Sequence, residues 1–211
     1  MIGNDVGVGQ SPGGRPALET IDAVTVDAYG TLLTLNDPVG RLSRLLPGHS
    51  AEQVERAFAA ETRHYVARSH EGRDPESLAR LQAESVAVFN ESAGASLSVD
   101  EYLGAIEFEP VPGAFAAMEQ LTGFGLATAV VANWDCSLPD RLPGAWTVVT
   151  SAEAGAPKPD PAPFRLALAR LGVEPDRALH VGDSPADEEG ARAADMWFVP
   201  APLAHVIEGW A

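Results

Sequence analysis

Short apolar runs alternate with amphipathic stretches along most of this chain. Ile21 to Asp27 is β-branched and mostly apolar, and it ends in the turn Ala28-Tyr29-Gly30-Thr31. Leu126 to Ala132, Trp146 to Thr150, Ala178 to Gly182 and Met196 to Val199 repeat the pattern. Continuous rather than alternating hydrophobicity predicts strands covered on both faces. The stretches between them read as helices. Asp160-Pro161 looks like an N-cap followed by a first-turn proline; Phe164, Leu168 and Leu171 then share a face, and Gly172 supplies the stop. Pro112 to Thr122, with Phe115, Met118 and Leu121, predicts another helix. Strands alternating with helices imply an α/β fold: a parallel sheet with right-handed crossovers and helices flanking it.

The alternation stops between about residues 36 and 107, where the pattern is helical only. Ser50 and Gln53 form a capping box ahead of Val54, Phe58 and Tyr65 on one face, and Asp74-Pro75 opens a second helix carrying Leu78, Leu81, Val88 and Phe89. A helical segment inserted straight after the first strand predicts a cap over the sheet edge. The expected organisation is therefore a flexible tail at 1–18, an α/β core from 19–35 and 108–211, and a helical cap at 36–107. The tail is rich in Gly, Pro and Ser and lacks an apolar signal core.

Composition narrows the function classes. A hydrophobic fraction of 45% fits a globular chain, and no apolar run is long enough to span a membrane. A formal charge of −16 opposes nucleic acid as a partner, because phosphate backbones require a basic surface. A small anionic substrate is still compatible, since its binding depends on a local site. The one cysteine, Cys136, excludes an internal disulfide and fits a reducing, cytoplasmic setting.

Ligands of parallel α/β sheets bind beyond the carboxyl ends of the strands. Asp27 closes the first strand, Asn133 follows the second, Lys158 the third and Asp183 the fourth, so four polar positions fall at one edge. Of fourteen Lys and Arg residues, only Lys158 is a lysine, and a compact ammonium is not interchangeable with a guanidinium. Asp187 follows Asp183 by one helical turn. Converging carboxylates repel unless a cation lies among them, and hard oxygen ligands suit Mg²⁺. Lys158 would neutralise remaining charge, Asn133 would donate to substrate oxygens, and Asp27 would be free for in-line attack.

On these residues the chain resembles the haloacid dehalogenase-like hydrolase superfamily, in the branch with a helical cap after the first motif. The motifs are Val26-Asp27-Ala28-Tyr29-Gly30-Thr31-Leu32, Val131-Ala132-Asn133-Trp134-Asp135, Lys158 within Gly155 to Pro161, and Gly182-Asp183-Ser184-Pro185-Ala186-Asp187 with Gly190-Ala191. The resemblance implies that Asp27 is nucleophile and Mg²⁺ ligand. The Tyr29 carbonyl and Asp183 would complete the protein's share of the shell with Asp187 nearby, while Lys158 would hold phosphate and nucleophile together.

Two departures qualify the expected activity. Phosphatases of the family carry an aspartate two residues after the nucleophile as proton shuttle; here the position is Tyr29, and a phenol shuttles poorly at neutral pH. Ala132 replaces the usual Ser or Thr, removing a hydroxyl contact to phosphate. The leading expectation is a slow Mg²⁺-dependent hydrolase of small phosphate monoesters acting through an aspartyl-phosphate. The first alternative is 2-haloacid dehalogenation, whose first motif resembles Asp27 to Leu32 and needs no leaving-group acid. In that reading Arg41 is a candidate for the halide side, although a solvated helix arginine is its simpler role. The second alternative is a catalytically weakened member that binds a phosphometabolite or a protein. The polar turn His70 to Asp74 is a candidate recognition loop.

Overall fold

In the computed structural model, residues 16–143 and 146–210 are described, and the molecule is an α/β protein. The elements run in the order β1 (Ala23–Val26), β2 (Leu33–Leu35), α1 (Pro38–Leu45), α2 (Ala51–Arg68), α3 (Pro75–Ala93), α4 (Val99–Ala105), β3 (Phe108–Pro110), α5 (Ala114–Gly123) and β4 (Ala127–Ala132). They continue with β5 (Thr147–Thr150), α6 (Ser151–Ala154), α7 (Ala162–Leu171), β6 (Ala178–Gly182), α8 (Pro185–Ala193), β7 (Trp197–Pro200) and α9 (Leu203–Glu208). Residues 1–15 of the expected tail lie outside the described residues. Pro16 is packed: it is buried and its carbonyl accepts from Trp210 Nε1 at 3.1 Å.

The five strands expected from the apolar runs form one parallel sheet in the order β5-β4-β1-β6-β7. Its central strands are buried on both faces, as their unbroken hydrophobicity demands. On one face Val24, Val26, Val130 and Val181 pack against Met118 and Leu121 of α5 and Leu203 and Val206 of α9. On the other, Ala23, Ala129, Val131 and Val149 meet Phe164, Ala167 and Leu168 of α7. Burying a side chain of this size contributes about 1.5–3 kcal/mol relative to leaving it exposed. The strand order reverses around β1, where the crevice of a doubly wound sheet opens.

Helix ends follow their sequence signals with one adjustment. The Ser50–Gln53 capping box is formed, and Asp74 caps α3 with Pro75 in the first turn. At α7 the N-cap is Pro161 rather than Asp160, because the Asp160 carboxylate accepts from the Ala162 N–H at 2.8 Å and so caps from one residue further back. The segment between β2 and β3 is helical. Leu42, Val54, Ala57, Val86, Phe89 and Tyr102 give it a hydrophobic cluster of its own. Its two ends are tied together by an antiparallel ribbon, Leu33 opposite Pro110 and Leu35 opposite Phe108. Three-residue strands carry too little periodicity to be seen in the sequence.

Candidate active site

β1 delivers Asp27 to the carboxyl edge of the sheet, and the Asp27 N–H continues the pairing with β6 by donating to Val181 O at 2.9 Å. Asp27 is buried, at 6% exposure. The loop after α6 brings Lys158, equally buried, so that its Nζ donates to Asp27 Oδ1 at 2.5 Å, Asp187 Oδ1 at 2.5 Å and Val131 O at 3.0 Å. All three ammonium protons are thereby used. An arginine fork could not place three donors around one compact centre.

Asp183 follows β6 and is exposed. It does not cap α8; Ser184 does, in a capping box with Asp187. Asp187 is consequently held on all sides: Oδ1 accepts from Lys158 and meets His180 Nε2 at 3.0 Å, while Oδ2 accepts from Ser184 Oγ at 2.6 Å. His180 Nδ1 in turn lies 2.8 Å from Thr25 Oγ1. Two glycines make room for the carboxylates. A Cβ on Gly30 would collide with the Asp183 carboxylate, and its φ of +83° already favours glycine; one on Gly182 would collide with Asp187.

Asn133 sits at the end of β4, and its amide closes on the Lys158 backbone. Nδ2 donates to Lys158 O at 3.0 Å, and Oδ1 accepts from Lys158 N at 2.7 Å. One amide proton is left for a ligand. Asp135, two residues on, is buried and bridges to the helical segment by accepting from Tyr65 Oη at 2.5 Å.

Electrostatics follow from this packing. Burial, reinforced by Asp187 and offset by Lys158, raises the Asp27 pKa to about 6. Burial opposes the charge on Lys158, but Asp27 and Asp187 outweigh it and hold the ammonium above its ordinary value. Burial alone would raise Asp187; His180 and Lys158 overcome it and keep this carboxylate well below its usual range. Burial also lowers His180 and raises Asp183, the latter with help from Asp187.

Oxygens of Asp27, Asp183 and Asp187 lie within 4.8 Å of one another. Asp27 and Asp183 offer hard anionic donors that fit a small divalent cation such as Mg²⁺, and Asp187, expected as a further ligand, has its oxygens engaged and adds negative charge beside them. Over them lies a cavity of about 390 Å³, lined by Asp27, Tyr29, Asn133, Lys158 and Asp183 at the sheet edge and by α2, α3 and α4 opposite. Ala132 and Trp134 also line it, and Tyr29, half-exposed, is at its wall.

Arg41 takes no part in this cavity. It donates to Ala105 O at 3.0 Å and pairs with Glu107. The cavity arginine is instead Arg141, which stacks on Phe108 at 4.9 Å from the ring centroid. The turn His70 to Asp74 does not line the cavity either; Gly72 O accepts from Cys136 N at 2.8 Å, a contact between helical segment and core. The Cys136 thiol is pushed up by burial and by Asp135, which opposes a nucleophilic role.

The sequence reading missed His180, Asp135, Arg141 and Glu61. His180 belongs to a strand buried on both faces, where no alternation marks one side as polar. Glu61 had a signal: it interrupts the stripe Val54, Phe58, Tyr65 at the position where helical spacing calls for an apolar residue.

The doubly wound sheet carries this carboxylate–lysine cluster at its carboxyl edge. The family model described as haloacid dehalogenase-like hydrolase matches residues 21–195, and the chain belongs to that family. A Mus musculus haloacid dehalogenase-like hydrolase domain-containing protein 3 is 38% identical over 104 residues, covering 46% of this chain and 41% of the relative. A phosphoglycolate phosphatase of Rhodospirillum rubrum is 34% identical over 153 residues, covering 68% of this chain and 56% of the relative. The matches therefore span about two fifths to just over half of these relatives' lengths. Among solved structures, L-2-haloacid dehalogenase from Xanthobacter autotrophicus superposes with a TM-score of 0.63 at 23% identity, covering 84% of this chain and 76% of that one. This last likeness concerns the fold.

Proposed function

We propose that this protein is a Mg²⁺-dependent hydrolase of small phosphate monoesters that forms an aspartyl-phosphate on Asp27. The observation that carries the reading is the Asp27–Lys158–Asp187 cluster with Asp183 beside it. Two carboxylates on one lysine, with Asp183 beside them, leave an excess of negative charge that a carboxylate substrate would increase, whereas a cation resolves it. Mg²⁺ held by Asp27, the Tyr29 carbonyl and Asp183 would neutralise the negative charge of nucleophile and phosphate as they meet. Asp187 has both oxygens engaged within the protein, so its part is to orient Lys158 and to add charge.

Asp27 Oδ attacks phosphorus in line, the bond to the ester oxygen breaks, and the alcohol leaves as its oxyanion, which takes a proton from water. Water then attacks the acyl-phosphate, releasing phosphate and restoring the Asp27 carboxylate. Lys158 stabilises charge on Asp27 through its hydrogen bond and on the phosphoryl oxygens through space. Asn133 fixes the Lys158 backbone and offers its remaining N–H to a phosphoryl oxygen. Tyr29 supplies no carboxyl to protonate the leaving oxygen, so esters of poor leaving groups are turned over slowly, by about 10²–10⁴-fold relative to a site with a general acid. Residues 36–107 act as the cap that closes the cavity and selects the leaving group.

A phosphatase of the Rhodospirillum relative's kind and the departure at Ala132 are compatible, since the lost hydroxyl contact affects affinity more than mechanism. The test is hydrolysis of p-nitrophenyl phosphate with Mg²⁺, with EDTA, and in Asp27→Asn. Its activated leaving group needs little acid assistance. Turnover that requires Mg²⁺ and vanishes in the variant is expected. Halide release from a 2-haloacid in EDTA, without phosphatase turnover, would assign dehalogenation instead.

A further inference from the structure

On the side formed by α2, α3 and α4, the cavity carries polar groups that the reaction does not use. Its walls are apolar: Phe58, Val86, Leu103, Ile106, Phe108 and Trp134 all line it. Among them lie Glu61, Ser85 and Tyr102, also lining residues, at 8%, 2% and 2% exposure. The Ser85 hydroxyl has no hydrogen-bond partner among the described residues, and the Tyr102 hydroxyl lies beside the Glu61 carboxyl. No cation lies within salt-bridge distance of Glu61 among the described residues either, although the chain forms many surface ion pairs.

A buried hydroxyl without a partner and a buried carboxyl without a counter-charge are each costly, at roughly 1–3 kcal/mol per group or more for a charged one. Such groups persist where a ligand completes them. We propose that this side of the cavity is a subsite for an ammonium group, so that the ligand is an amine with an apolar, aromatic-sized body. Glu61, held by Tyr102, supplies the counter-charge, and the Ser85 hydroxyl accepts a further ammonium proton. Burial raises the Glu61 pKa, and an incoming cation favours the ionised form. The net charge of −16 attracts cationic ligands at long range. A cavity of about 390 Å³ is at the small end of small-molecule sites, large enough for one ring and a short chain.

This subsite deepens the phosphatase reading by naming the leaving group as an amino alcohol or aminophenol, and rests on it only for the ester end. The test therefore uses phosphate-free ligands and a binding readout. Isothermal titration of the full chain compares tyramine with para-ethylphenol, the same ring and ethyl chain without the amine. Tyramine is expected to bind about tenfold or more tightly, the discrimination of one charge-assisted hydrogen-bonded pair. Glu61→Gln is expected to abolish the difference while leaving para-ethylphenol binding in place. Equal affinity in the wild type, a preference that survives Glu61→Gln, or no binding of either compound would overturn the subsite. If Glu61→Gln does not fold, the wild-type comparison decides alone. Failure of p-nitrophenyl phosphate turnover with tyramine preference intact would remove the phosphatase reading and leave the ammonium site standing.

Discussion

Lys158→Met tests whether the cluster is held together by charge. The substitution preserves most of the side-chain volume but removes the three donors that satisfy Asp27, Asp187 and Val131 O. Two carboxylates then remain, at 6% and 1% exposure, without their ammonium. Breaking a buried pair from one side costs about 3–5 kcal/mol. For a chain of 211 residues that corresponds to a fall in Tm of roughly 6–20 °C. The pH dependence follows from the directions of the shifts. Asp27 already titrates at about 6 in the intact cluster, and losing Lys158 moves it and Asp187 upward. A raised folded pKa gives stability that is present at low pH and lost as pH rises through that pKa, so the deficit of the variant is largest near pH 8. It shrinks towards pH 5 by about 1.4 kcal/mol per unit for each carboxyl that takes up a proton. Urea unfolding of both proteins in EDTA, followed by circular dichroism across that range, gives the deficit directly. A loss below about 1 kcal/mol near neutrality, or one that grows as pH falls, would refute the charge argument.

Three further outcomes are expected. Tyr29→Asp restores a leaving-group acid at a half-exposed position and should raise turnover of unactivated phosphate esters by up to about 10²–10⁴-fold; steady-state kinetics showing no gain would place the limit elsewhere. Gly30→Ala forces a Cβ into the Asp183 carboxylate at φ +83°. It should lower stability by more than about 1 kcal/mol and abolish Mg²⁺-dependent turnover, read by thermal unfolding and p-nitrophenyl phosphate assay. Mg²⁺ should stabilise the protein more near pH 8 than near pH 5, because below its pKa of about 6 Asp27 holds a proton that the ion must displace; equal shifts in Tm would contradict Asp27 as a ligand.

Much of the fold was legible because a parallel sheet writes itself as unbroken apolar runs, and β1, β4, β5, β6 and β7 all lie within a residue or two of theirs. The site was legible for a related reason: parallel strands put their carboxyl ends at one edge, so Asp27, Asn133, Lys158 and Asp183 could be brought together before any coordinate was known. What stayed hidden depends on contacts between distant segments. The β2–β3 ribbon pairs two three-residue strands far apart in the chain, Leu33 with Pro110 and Leu35 with Phe108, and neither strand has a pattern alone. His180 looks like any residue of a buried strand until Asp187 is folded back onto it. Tyr65 and Asp135 meet only across the cavity. Arg41 and Arg141 cannot be told apart by composition, and the fold alone decides which of them lines the cavity.

Asp27 is the proposed acceptor of the phosphoryl group. The most direct measurement is acid-quenched single turnover of p-nitrophenyl phosphate with Mg²⁺, followed by mass spectrometry of the peptide containing Asp27. A phosphoryl adduct on Asp27 that forms with product release and decays with phosphate release is the predicted result. An adduct on another residue, or undiminished turnover in Asp27→Asn, would contradict it.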